Sequence, residues 1–158
     1  MPTEEFLELF DMEIQNRAFA MQSAEEMVER ASDPEDVAWY EAWLAFEQFN
    51  QTQYAPFAEK YGLSQEARTV AKIQASLAIL AGKVLPNDVT MKFMLDETIK
   101  YLEKLKELAE LAPEEDRAFF AYVVKQEEMQ IDALQLRVDG KGQASTALIS
   151  QFVAEHSN

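Results

Sequence analysis

The chain is 158 residues long and carries 29 acidic against 14 basic residues, a formal charge of −15. Such a surface repels phosphate backbones and anionic lipid, which argues against nucleic acid or a membrane surface as a partner. The absence of cysteine removes disulfide and thiol chemistry, and the only histidine, His156 in the C-terminal stretch, leaves no hydrolase triad.

A single domain over residues 1–158 is expected, long enough to bury a real core. Only 4 glycines and 5 prolines, with 48% apolar residues, favour a few long helices over a many-turned β fold. No apolar run reaches the roughly 18 residues of a membrane span. The stretch MPTEEFLELFDMEI carries acids where a secretory or transit peptide needs bases. A cytoplasmic protein is the expectation.

The first helix is expected from about Thr3 to about Arg30. Thr3 is an N-cap, and Phe6, Leu7, Phe10, Ile14, Ala18, Met21, Ala24 and Val28 recur at helical spacing. SDPED stops and restarts the chain, with Ser32 or Asp33 as cap and Pro34 at the first helical position. The second helix continues to about Tyr61 and ends at Gly62. Ser64 is read as the cap of a third, SQEARTVAKIQASLAILAGKV, ended by Gly82 and the Pro86 beyond it. PNDV opens a fourth, to roughly Leu111, with Val89, Phe93, Met94, Leu102, Leu105 and Leu108 on its apolar side. A fifth runs from about Pro113 to about Val138, DGKGQ breaks it, and a short sixth spans roughly Ala144 to Ala154. Helices one, two, four and five could each run the length of a bundle about 40 Å tall. The third sits where a long crossover connection would lie.

Polar residues interrupt the apolar stripes. Tyr40, Trp43, Glu47, Asn50, Tyr54, Phe57 and Tyr61 share one face of the second helix, and Phe120, Val123, Glu127, Gln130, Leu134 and Val138 one face of the fifth. Phe6, Phe10, Glu13, Arg17, Ala20 and Ala24 do the same on the first helix, and Met94, Glu97, Tyr101, Leu105 and Leu108 on the fourth. Each long helix therefore offers one carboxylate to the interior, and two add an amide three residues later. Unpaired burial of such groups is costly. Arg17, one turn from Glu13, the amides of Asn50 and Gln130, and the hydroxyls of Tyr40, Tyr54 and Tyr101 could satisfy them. Met12, Met21, Met27, Met91, Met94 and Met129 read as core filling. No phosphate loop or dinucleotide fingerprint is present.

Glu13, Glu47 in EQFN, Glu97 and Glu127 in EEMQ, together with the stretch VVKQEEMQIDAL, make residues 5 to 138 resemble the ferritin-like superfamily of ferritins and rubrerythrins. The resemblance implies an all-α fold: an antiparallel four-helix bundle with an extra crossover helix and a short C-terminal helix. It also implies a metal constellation of Glu13, Glu47, Asn50, Glu97, Glu127 and Gln130. In that family two helices give one Glu each and two give Glu plus His at i, i+3. Here Asn50 and Gln130 stand where the histidines would, and neutral amides are poor ligands for iron or manganese. The expected function is a ferritin-like bundle that has lost its di-metal centre and acts as a binding or structural module, without cofactor or catalytic residues. One alternative is a di-iron or di-manganese oxidoreductase or iron-handling protein, resting on the four glutamates. The other is an acidic protein–protein interaction module, resting on charge. A homodimer is compatible with long apolar helices that leave a flank to cover; no other protein partner is indicated.

Overall fold

The computed structural model describes residues 1–68 and 87–157, and all regular structure among them is helical. The elements are α1 (Glu4–Arg30), α2 (Pro34–Tyr61), α3 (Asn87–Leu111), α4 (Arg117–Val138) and α5 (Gly142–His156), with a short 3-10 turn, Glu114–Asp116, before α4. The helix expected from Ser64 is absent over residues 64–68, where Ser64 Oγ instead accepts the Glu66 N–H at 3.2 Å. The rest of that expected helix lies outside the described residues.

The caps form as their chemistry requires. Thr3 Oγ1 accepts the Phe6 N–H at 3.1 Å. Of the two candidates before Pro34 it is Asp33 that caps α2, accepting the Glu35 and Asp36 N–H groups at 3.0 and 3.2 Å. Gly62 closes α2 at φ 68°, a left-handed conformation that a residue without Cβ adopts freely. The fifth predicted helix starts later than expected because Glu114–Asp116 forms the 3-10 turn, and α5 starts earlier, at Gly142.

Side-chain contacts give the topology. Phe6 meets Tyr61, Phe10 meets Tyr54 and Arg17 meets Glu47, so α1 and α2 run antiparallel. Phe57 meets Phe119, Asn50 meets Tyr122 and Asp36 meets Arg137, so α2 and α4 are antiparallel too. α5 returns along α4, with Ser145 against Ala133 and His156 against Tyr122. It lies parallel to α2, with Ser145 against Trp39 and Phe152 against Phe46. α3 packs on α4 and α1.

Two hydrophobic clusters result. Phe6, Phe10, Tyr54, Leu105, Leu108 and Phe120 fill one end, and Trp39, Phe46, Met91, Leu95, Leu134 and Ile149 the other. Burial of each such large side chain contributes about 1.5–3 kcal/mol. On α1, α2 and α4 polar residues lie where the two clusters meet, and these form one layer, which Tyr101 joins from α3.

Tyr40 and Trp43 are buried, and Phe57 is half-buried, stacked on Phe119 with ring centroids 3.8 Å apart. Three expectations need correction. Val89 and Phe93 are 46% and 63% exposed, because the buried side of α3 is built by Met91, Leu95, Leu105 and Leu108. Met12 is 39% exposed and fills no core. Among the described residues Tyr40 joins no polar network, and it packs on Trp39 at 5.0 Å. Among the described residues no helix is long and apolar enough to cross a membrane.

One buried polar chain pins α5. Trp39 Nε1 donates to Ser145 Oγ at 2.8 Å, and Ser145 Oγ donates to the Ala133 carbonyl at 2.6 Å. Ser145→Ala leaves a buried indole N–H without an acceptor and should cost about 1–3 kcal/mol in urea unfolding. An unchanged midpoint would contradict that pin.

Candidate functional site

The polar layer is centred on Arg17. α1 places Glu13 and Arg17 on successive turns, α2 brings Glu47 and Asn50 from the opposite direction, and α4 supplies Gln126, Glu127 and Gln130. Glu13, Glu47, Asn50, Gln126, Glu127 and Gln130 are all buried, the most exposed of them at 3%.

The guanidinium touches three carboxylates. Arg17 Nη1 donates to Glu47 Oε1 at 3.0 Å, Nη2 lies 3.5 Å from Glu127 Oε2, and Nε lies 3.2 Å from Glu13 Oε1 without hydrogen-bond alignment. Glu13 is the best satisfied, accepting the hydroxyls of Tyr54 and Tyr101, each at 2.7 Å. Glu127 Oε2 accepts Gln130 Nε2 at 2.8 Å and Gln126 Nε2 at 3.3 Å. Gln126 Oε1 gathers Gln130 Nε2 at 2.7 Å, Asn50 Nδ2 at 3.3 Å and Arg17 Nη1 at 3.4 Å. Tyr122 closes the layer by donating to Asn50 Oδ1 at 2.6 Å. Glu47 is the least satisfied: among the described residues no donor is aligned on its buried Oε2, and the Trp43 side chain one turn earlier gives the carboxylate only a weak hydrogen bond.

Three acids around one base leave negative charge in excess. Burial pushes the Glu47 carboxyl up, Arg17 pulls it down, Glu13 pushes it up again and a hydrogen bond from the Trp43 side chain pulls it down a little, to about 7. Burial likewise raises Glu127, against Arg17 and with Glu13 and Glu47, to about 8. Burial works against the charged form of Arg17, but Glu47, Glu13 and Glu127 outweigh it and hold the guanidinium above its ordinary value. The hydroxyls of Tyr54 and Tyr101 are raised by burial first and by Glu13 beside them. They remain neutral donors.

Glu97 does not belong to this constellation. It is exposed on α3 and pairs with Lys100 at 2.7 Å. Leu95, two residues before it, faces the core, and two residues turn a helix by about 200°. Its place on the α3 side is taken by the Tyr101 hydroxyl. Gln126 and Tyr122 were not anticipated from the sequence. The signal for Gln126 was the step Phe119, Val123, Gln126, Gln130, Leu134, a second helical row beside the one through Glu127.

The donors do not suit a di-metal centre. There is no imidazole in the layer, one of the four glutamates is at the surface, and a permanently charged guanidinium sits among the other three. Among the described residues no group of three or more His, Cys, Asp or Glu is placed to hold a metal ion.

Beside Arg17 and Glu47 the α1–α2 face opens into a cavity of about 610 Å³. Ile14, Ala18 and Met21 form apolar wall, and Glu25, Glu26 and Glu29 line it further along α1. No family model, no curated protein and no solved structure matches the chain.

Proposed function

We propose that this chain is a ferritin-like antiparallel four-helix bundle, built on α1, α2, α3 and α4, in which Arg17 takes the place of the metal charge. On this reading it works as a metal-free binding module. The observation that carries it is the contact of one guanidinium with Glu13, Glu47 and Glu127 at 3.2, 3.0 and 3.5 Å. In a di-metal bundle the carboxylates are neutralised by bound cations. Here the positive charge is covalently part of α1, and the amides of Asn50, Gln126 and Gln130 complete the layer by hydrogen bonding. Redox chemistry at a di-metal site is not part of this reading. The cavity beside the layer gives the module a place to bind, since wall, charge and opening meet there.

Metal analysis of protein grown with added iron and manganese tests the reading. Substoichiometric metal is expected after dialysis. A pair of tightly held transition metals per chain would overturn it and restore the di-iron or di-manganese alternative.

A further inference from the structure

Charged residues make up 27% of the chain, yet none occurs from Gly142 to Ala154, nearly the whole of α5. α5 turns Ser145, Ile149 and Phe152 inward, with Ser145 on Trp39 and Ala133 and Phe152 on Phe46. Its outer side is Gln143, Ala144, Ala147, Ser150, Gln151 and Ala154, all exposed. On α2 the uncharged surface continues through Ala38, Ala42, Ala45 and Phe49, a row beside the Trp39 and Phe46 that meet α5. Across α5, the α4 edge carries Lys125, 3.4 Å from His156, and Asp132 two turns on, one charge of each sign.

Among the described residues none covers this side. The described chain on either side of residues 69–86 lies elsewhere: Arg68 is held on α1 by Asp11 and Gln15, and Asn87 opens α3, which packs on α1 and α4. An exposed helix face ordinarily meets water with charged side chains, whereas the centre of a protein interface is depleted of them.

The pattern on α5 also says what it meets. Ala144, Ala147, Gln151 and Ala154 follow steps of three, four and three, the spacing of a helix seam that packs on another helix. Reversed, the seam is its own complement: in an antiparallel pair Ala144 faces Ala154 of the other copy and Ala147 faces its Gln151. The charges at the ends agree. Lys141 and Glu155 bracket α5, both are exposed, and no anion meets Lys141 among the described residues. Antiparallel pairing brings Lys141 of each copy toward Glu155 of the other, whereas parallel pairing would set like charges together. Elsewhere two chains of charge −15 would press acid against acid. The area suffices for a weak dimer. α5, with 15 residues, is about 22 Å long, and its flanks lie about 8–10 Å to either side. The footprint is on the order of 500 Å² per copy, about 1,000 Å² in a pair, which meets the lower bound for a specific interface.

We propose that the chain forms a two-fold homodimer in which α5 packs antiparallel on α5 of a second copy, with Ala144, Ala147, Gln151 and Ala154 as the seam and Lys141–Glu155 pairs at its ends. The inference is independent of the reading of the polar layer.

Sedimentation velocity over a range of protein concentrations, in about 20 and about 300 mM sodium chloride, tests it. A monomer–dimer equilibrium is expected, tighter at high salt, where repulsion between two acidic chains is screened. Ala147→Glu places a charge on each side of the seam and should weaken the dimer about tenfold or more. Ala55→Glu adds the same charge nine residues from Phe46, half a turn around α2 from α5, and should change the affinity less than about threefold. Lys141→Glu should weaken the dimer, and Lys141→Glu combined with Glu155→Lys should restore it. Because the chain has no cysteine, cross-linking reports the orientation. Ala144→Cys protein mixed with Ala154→Cys protein should form a disulfide faster than either does with itself. If Ala147→Glu loses its helical circular dichroism, Gln151→Lys on the same seam decides the matter. A chain that stays monomeric at high salt, equal weakening by Ala147→Glu and Ala55→Glu, or preferential cross-linking of Ala144→Cys to itself overturns the inference.

Discussion

Replacing Arg17 by methionine should destabilise the protein by about 3–5 kcal/mol at pH 8, the range for removing one partner of a buried ion pair. Methionine keeps most of the side-chain stem, so the loss reports charge rather than volume. Without the guanidinium, Glu13, Glu47 and Glu127 face one another inside the protein with only amides and hydroxyls to meet them. At pH 5 the loss should be much smaller, because Glu47 and Glu127, already raised to about 7 and about 8, are then protonated in the variant as in the parent. Urea unfolding of parent and variant at both pH values measures it. A loss below about 1 kcal/mol at pH 8 would mean that the carboxylates are neutral there without Arg17 and that the guanidinium does not organise the layer.

The parent protein should itself become less stable as pH rises from 5 to 9. Glu47 titrates near 7 when folded and near ~4.3 when unfolded, so between those values the folded state holds more protons. Stability tied to this group is complete below the unfolded value and is lost as pH rises through about 7, and for Glu127 through about 8. For Glu47 alone the change is on the order of 3 kcal/mol. Asp116 does not blur this window. Burial pushes its carboxyl up, but hydrogen bonds from Lys60 and Tyr61 leave it lowered, so its contribution disappears only on the acid side. Thermal melts from pH 5 to 9 should therefore slope downward. Glu47→Gln should flatten the slope and leave stability at pH 8 equal or higher, since it removes one of three acids that share a single guanidinium. Glu13→Gln should behave oppositely and cost about 1.5–3 kcal/mol, because it weakens an acceptor serving Tyr54 and Tyr101. A flat parent profile, or the same response from both variants, would refute this account of the layer.

The difference between Glu13 and Glu47 was not legible in the sequence. Both stand in apolar stripes at equivalent phase, and both are buried. Glu13 is satisfied because Tyr54 of α2 and Tyr101 of α3 reach it from two neighbouring helices, whereas across the helix contact Glu47 is met by Arg17, with the Trp43 side chain of its own helix beside it. Which acid gains partners is a matter of which side chains oppose it across a helix contact, and spacing along one helix carries no such information.

What the sequence determined by itself was local. Thr3, Asp33, Pro34 and Gly62 set the ends of the first two helices through cap hydrogen bonds and backbone freedom that act within a few residues. The placement of Glu13, Glu47, Asn50, Glu127 and Gln130 on the inward side also followed from period alone, because each lies in register with large apolar neighbours. The tertiary structure decided the rest. It turned α3 so that Leu95 rather than Glu97 faces inward. By bringing α1 and α2 onto α4 it enclosed Gln126 against Arg17 and Asn50, beside Glu127. It also set Arg17 among three carboxylates drawn from three helices. The physical reason is that a 3.6-residue period fixes the angles between residues on one helix. The absolute rotation of each helix, and the number of neighbours that cover it, are fixed only when the helices pack.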